Sequence, residues 1–198
     1  MPKIVDHDQY RKELLSKCFY LFAEKGYASI TMREIAQGIG ISTGTLYHYF
    51  PTKEALFDQL VEEVSQHTVR TAMTELDGAR TQQELMEALG RFLDENADSI
   101  IKETFIFIDF CRHHGVEAFH NNPAIKRARE RYGQVSSELF GILDPELIQF
   151  SDNLLSGIIL NHLLGHKSIS FTEQVSLLGK MLTAYLEKRV GKSDLTLI

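Results

Sequence analysis

The stretch ITMREIAQGIGISTGTLYHYFPTK, residues 30–53, constrains the fold more than any other part of the chain. Thr31 stands as an N-cap with Glu34 three residues on, which is a capping box, and Ile30 and Ile35 occupy the hydrophobic-staple positions around it. The pattern returns in part with Ser42 as cap, Ile41 before it and Leu46 at the staple position. Between the two helix starts lies Gly38-Ile39-Gly40, and a glycine there can take the positive φ that a sharp helix-to-helix turn needs. Two short helices across a glycine-containing turn form a helix-turn-helix, whose second helix enters the DNA major groove. Sequence-specific DNA binding is therefore the leading expectation.

Helical signals continue along the chain. A first helix is expected from about Asp8 to Lys25, with Leu14, Leu15, Cys18, Phe19 and Phe22 on one face and Gly26 ending it. After Pro51, Thr52 caps a long helix from Lys53 to about Leu76, and Asp77-Gly78 marks a turn. Thr81 with Glu84 opens the next helix, to about Asn96. The apolar run Ile100 to His113 has strand-like residue types, but its helical surroundings favour a buried helix. Asn121-Asn122-Pro123, Asp144-Pro145 and Ser170 with Glu173 open three more, reaching about Phe140, Leu164 and Val190, and the tail GKSDLTLI is expected to fray. The fold class is all-α, with about nine helices.

Composition narrows the function. Among 198 residues, 43% hydrophobic and 24% charged is ordinary for a globular protein. No apolar run approaches the roughly 20 residues that span a bilayer, and the first residues lack the apolar core of a signal peptide. The two cysteines, Cys18 and Cys111, have neither disulfide-framework nor zinc spacing, which suits a reducing cytoplasm. Residues 1–60 hold seven Lys+Arg and seven Asp+Glu and are neutral, so the net charge of −6 lies wholly in residues 61–198. A neutral head argues against a non-specific, charge-driven DNA binder and for one oriented by a few placed contacts. No G-x-S-x-G, P-loop or G-x-G-x-x-G occurs and no nucleophile has a base, so the chain is not expected to be an enzyme, and no cofactor is implied.

The residues FAEKGYASITMREIAQGIGISTGTLYHYFPTKEALF resemble the DNA-binding domain of TetR-family (AcrR-like) transcriptional regulators. The matching positions are Gly26-Tyr27, Thr31, Ile35-Ala36, Gly40-Ile41-Ser42, Gly44-Thr45-Leu46-Tyr47, Tyr49-Phe50 and Lys53-Glu54-Leu56, and the match covers about the first third of the chain. The resemblance implies an N-terminal three-helix DNA-binding domain followed by a C-terminal helical body that binds a small ligand and dimerises through its last two helices. The division falls at 1–52 and 53–198. The implied function is a cytoplasmic, homodimeric repressor released from a palindromic operator by a small, hydrophobic effector, with an activator or effector-independent regulator as the alternative.

Candidate DNA contacts follow from position. Thr43, Gly44 and Thr45 fill the first turn of the recognition helix: the threonines offer hydroxyls and methyls to base edges, and Gly44 permits close backbone approach. Ser42 caps that helix and joins the candidate set, although a capping-turn role alone also accounts for Thr45. A tyrosine placed like Tyr47 meets phosphate in the family, and His48 can donate to phosphate. Thr31, Arg33 and Lys53 complete the set, with solvated surface as the alternative for the two cations. Leu46 and Phe50 read as core, and Tyr49 fits either role.

The body is rich in aromatics: Phe92, Phe105, Phe107, Phe110, Phe119, Tyr132 and Phe140. Phe105, Asp109, His113 and Tyr132 are the candidate effector contacts, against a filled core with solvent-facing polar groups as the alternative. Asp109 and His113 share a helix face and Glu117 with His120 forms a single E-x-x-H, but a di-iron bundle needs two such motifs and two further glutamates, so no metal site is assigned. The helix around Leu154–Leu164 is apolar nearly all round, with Gly157 allowing close approach, and Val175, Leu178, Leu182 and Tyr185 align on the last helix. These two helices are the expected dimer surface, with Asn161 and His162 hydrogen-bonding across it.

Overall fold

The computed structural model describes residues 6–140, 145–166 and 170–193. Among them are ten helices and no strand: α1 (His7–Lys25), α2 (Met32–Ile39), α3 (Thr43–Tyr49), α4 (Lys53–Leu76), α5 (Gln82–Glu95), α6 (Ala97–His114), α7 (Val116–Asn121), α8 (Pro123–Phe140), α9 (Pro145–Leu163) and α10 (Phe171–Ser193). The all-α expectation holds, with one helix more than the sequence suggested. The addition is α7, six residues entered through Gly115 at φ 88° with no side-chain cap bond, and therefore without the usual sequence signature. The last helix also runs on through Ser193, past the start of the tail expected to fray; residues 194–198, Asp144 and the side chain of Phe140 lie outside the described residues.

The helix boundaries have local causes. The Thr31–Glu34 capping box forms in full, and Ser42 Oγ accepts the Thr45 N–H at 3.0 Å. Ser170 and Glu173 bond reciprocally at 3.1 Å each way, whereas Glu84 accepts from Arg80 N instead of the Thr81 N–H. Asn122 Oδ1 accepts the Ile125 N–H at 3.0 Å, which caps α8 at its initial proline. Gly40, at φ 76° and ψ 33°, makes the left-handed turn between α2 and α3. Gly38 matters for packing instead, because a Cβ there would stand 2.8 Å from Leu21 Cδ1 and the Leu21 side chain would have to move aside.

The chain forms two compact units, Met1–Val69 with Lys102–Gln134, and Arg70–Ile101 with Val135–Ile198. The core of the first joins α1–α3 to the first half of α4, most of α6 and α8, through Phe22, Tyr27, Leu46, Phe50, Phe57, Ile106, Phe110 and Ile125. α8 is also tied to α4 by polar groups: Arg127 and Arg131 donate to the Glu62 carboxylate, and Arg131 donates to Ser65 Oγ at 2.9 Å. The second unit is built on α5 against α10, with Met86, Leu89, Phe92 and Leu93 meeting Phe171, Val175, Leu178 and Leu182. Gly90 and Gly179 sit where these helices touch: a Cβ at Gly90 would lie 2.7 Å from Thr172 Cα, and one at Gly179 2.7 Å from Met86 Cγ.

This packing corrects the expected dimer face of α10. Val175, Leu178 and Leu182, three of the expected four, are buried inside their own unit, while the fourth, Tyr185, is exposed together with Leu177 and Met181. Leu160 on α9 and Leu164 just after it are exposed as well. His162 likewise turns inward, its ring stacked on Phe171 at 4.0 Å.

Candidate DNA-reading head

The head rests on α1, whose N-terminus is tied to the recognition helix. Tyr49, half-buried, shares a hydrogen bond with His7 Nδ1 at 2.8 Å and meets the Tyr10 ring edge-on at 5.5 Å. Leu46 and Phe50 are fully buried beneath it, as their four-residue spacing predicts. With one face of α3 so committed, the other carries the candidate contacts: Gly44, Tyr47 and His48 are exposed, Tyr47 by 47%, and Thr43 is half-buried. A Cβ at Gly44 would meet only Ser42 Oγ, at 3.8 Å, so the backbone there is open to close approach.

The remaining candidates are partly engaged within the head. Ser42 Oγ and Thr45 Oγ1 share a hydrogen bond at 2.8 Å, so Thr45 takes part in the cap. Thr31 Oγ1 donates to Glu34 Oε2 at 2.7 Å, and that hydrogen bond, with the Thr31 N–H and then Lys25 and Lys53 nearby, holds the Glu34 carboxyl below its ordinary range. An ionised carboxylate thus stands at the N-terminus of α2, beside any phosphate placed there. Arg33 is exposed. Lys53 donates to the Ile30 carbonyl at 2.8 Å and lies 4.5 Å above the Tyr27 ring; burial lowers its pKa against the pull of Glu54, Asp109 and Glu34.

The four candidate effector contacts are dispersed. Phe105 is exposed, Asp109 accepts the Ala28 N–H at 3.0 Å, the His113 ring lies 6.0 Å from that of Tyr27, and Tyr132 donates to the buried Glu103 carboxyl. Phe92 and Phe110 are filled core. Two cavities in the second unit hold none of the four: one of about 250 Å³ between α5 and α10, beside Met86, Gly179 and Thr183, and one of about 530 Å³ beside Arg70, Met73, Leu85 and Glu138. His120 Nδ1 meets Arg129 Nη2 at 3.1 Å. Among the described residues no group of three or more His, Cys, Asp or Glu side chains is placed to hold a metal ion, and no helix is long and apolar enough to cross a membrane. Sequence reading missed the His7–Tyr49 and Asp109–Ala28 bonds, which join residues far apart in the chain and have no local signal.

Residues 14–60, which hold all of this head except the first turns of α1, match the family model of bacterial regulatory proteins, tetR family. Over this segment the chain is similar to the tetR family. Curated transcriptional regulators match parts of the chain. It is 47% identical over 51 residues to the HTH-type transcriptional repressor KstR2 of Mycobacterium tuberculosis, covering 26% of each chain. It is 29% identical over 119 residues to the HTH-type transcriptional regulator PksA of Bacillus subtilis, covering 57% of each. The matched region thus spans about a quarter of the first relative and under two thirds of the second. Likeness of fold extends further: the transcriptional regulator FadR of Bacillus subtilis, solved in complex with stearoyl-CoA, superposes with a TM-score of 0.69 over 87% of this chain and 97% of that one, at 15% identity. Both curated relatives are named as transcriptional regulators rather than enzymes.

Proposed function

We propose that this chain is a sequence-specific DNA-binding transcriptional regulator, a homodimeric repressor released from a palindromic operator by a small hydrophobic ligand. The observation that carries the reading is α3 itself: one face is locked into the core by Leu46 and Phe50, and the opposite face offers Thr43, Gly44, Tyr47 and His48 to a groove. Thr43 and Gly44 read base edges, Tyr47 and His48 hold phosphates, and Thr31, Arg33, Ser42, Thr45 and Lys53 support them at the helix ends. Residues 1–52 are the reading segment, and residues 53–198 bind effector and partner. The cytoplasm, where bacterial DNA lies, is the place of action.

The repressor sign is supported by KstR2, named as a repressor, and the apolar effector by the acyl chain in the FadR complex. Dimerisation is supported by the exposed Leu160, Leu164, Leu177, Met181 and Tyr185 on α9 and α10. Two recognition helices would then read half-sites roughly 34–36 Å apart, or a multiple of that.

The test is selection of bound sequences from random duplex DNA by the purified protein at near-physiological salt. An enriched palindrome is the expected result, and a Thr43→Ala/Tyr47→Ala double variant should then lose affinity for it. Wild-type affinity in that variant would mean that α3 is not the reading element. A reporter with the gene deleted decides between repression and activation.

A further inference from the structure

The turn after α1 is gripped by two other elements. Gly26 has φ 80°, and a Cβ added to it would lie 3.1 Å from Asp109 Oδ2, so its bareness serves both the turn and the approach of that carboxylate. Asp109, on α6, accepts the Ala28 N–H at 3.0 Å. Tyr27 between them is buried, with its ring edge-on to Phe57 of α4 and Phe110 of α6 at 5.2 and 5.1 Å. The Ala28 amide thus finds its partner 81 positions along the chain rather than within the turn. α2 begins four residues later and α3 follows through the tight turn at Gly40, so the direction of both depends on this grip.

We propose that Asp109 is a positioning residue for DNA reading: its carboxylate latches the α1–α2 turn to α6, so that α6, and not α4 alone, sets where the recognition helix points. The inference rests on the reading of α3 given above. A shift of α6 by about 1 Å stretches a 3.0 Å hydrogen bond past its useful range, so an event on α6 reaches the head through this contact. Charge and latch predict opposite signs for removal of Asp109. Deleting a negative charge from a DNA binder strengthens binding to phosphate by electrostatics alone, whereas losing the latch weakens it.

The experiment uses the full chain and the duplex enriched by selection, with affinity read by fluorescence anisotropy at fixed salt, folding by circular dichroism, and the Ala28 amide by hydrogen exchange. Asp109→Ala should bind at least fivefold more weakly, with faster exchange at Ala28. Asp109→Asn keeps an acceptor oxygen and loses the charge, and should bind within twofold of wild type or more tightly. If Asp109→Ala does not fold, Asp109→Ser replaces it, too short to reach Ala28. Wild-type or tighter binding by the truncated variant overturns the latch, as does an Asn variant as weak as the truncated one. If the wild-type chain enriches no duplex at all, the DNA-reading function itself fails before any variant is compared, and the latch falls with it.

Discussion

Glu103 carries its carboxyl into the core of the first unit, leaving the residue 8% exposed, and the Tyr132 hydroxyl donates to it. Burial pushes its pKa up to about 7, and the tyrosine bond only partly offsets this. The unfolded chain releases this proton near the ordinary value of 4.5, the folded chain near 7. Below the lower value both states are protonated and nothing is lost. As pH rises between the two, the folded state alone keeps the proton and stability falls, levelling off above the higher one, by about 3 kcal/mol in all. Denaturant titrations from pH 4 to 8 should show this decline, and Glu103→Gln should remove most of it; a decline of equal size in the variant would place its origin elsewhere. In the reading head, residue-level expectation was sharpest where neighbours in sequence are also neighbours in space. The Thr31–Glu34 box and the burial of Leu46 and Phe50 are consequences of three- and four-residue spacing. Tyr49 was ambiguous because its partner, His7, lies 42 positions away.

Among the elements, α10 depends on a residue of another helix for its start. Asp94, at the end of α5, accepts from Phe171 N at 2.9 Å, Thr172 N at 3.0 Å and Thr172 Oγ1 at 2.6 Å. Its burial favours the neutral acid, but these three donors outweigh that and hold the carboxyl below the usual carboxylate range. The stabilisation is therefore present at neutral pH and fades as pH drops through the acid range. Asp94→Ala should cost about 1 kcal/mol at pH 7, as the loss of a cap does, with a smaller difference at pH 3. Thermal melts at the two pH values test this, and an equal cost at both would show that the carboxylate charge is irrelevant. The α5–α10 contact is also intolerant of bulk. Gly90→Ala sets its Cβ against backbone at 2.7 Å, where a flexible tip cannot swing aside, and should destabilise by about 1–3 kcal/mol in chemical denaturation. Most of these helices were legible because caps and periodic apolar residues act locally. α7 was not, because it is short and starts at a glycine with no side-chain cap.

At the scale of the whole molecule, periodicity identifies an apolar seam on a helix but not what the seam faces. Val175, Leu178 and Leu182 have the spacing of an interface, and they are one, but against α5 of the same chain. What is left for a partner is the adjacent strip, Leu177, Met181 and Tyr185, at four-residue intervals, together with Leu160 and Leu164. Leu164 is 66% exposed and Leu177 54%, and the Leu177, Met181 and Tyr185 strip at four-residue spacing is the face the proposed dimer would cover. The charge distribution suits the proposed dimer: residues 1–60 are neutral, so on the proposed reading engagement of two half-sites at once supplies the affinity that phosphate attraction does not. Introducing charge at the outward strip, as in Leu177→Glu/Met181→Glu, should leave the fold of each chain intact, since neither side chain belongs to the buried core. It should yield a monomer in sedimentation analysis and weaken binding to the enriched palindrome on the order of 100-fold or more, the scale at which bivalent engagement is lost. Binding to a single half-site should be unchanged. A double variant that still sediments as a dimer would move the interface away from this strip. A monomer that keeps full operator affinity would show that the chain reads its site without a partner.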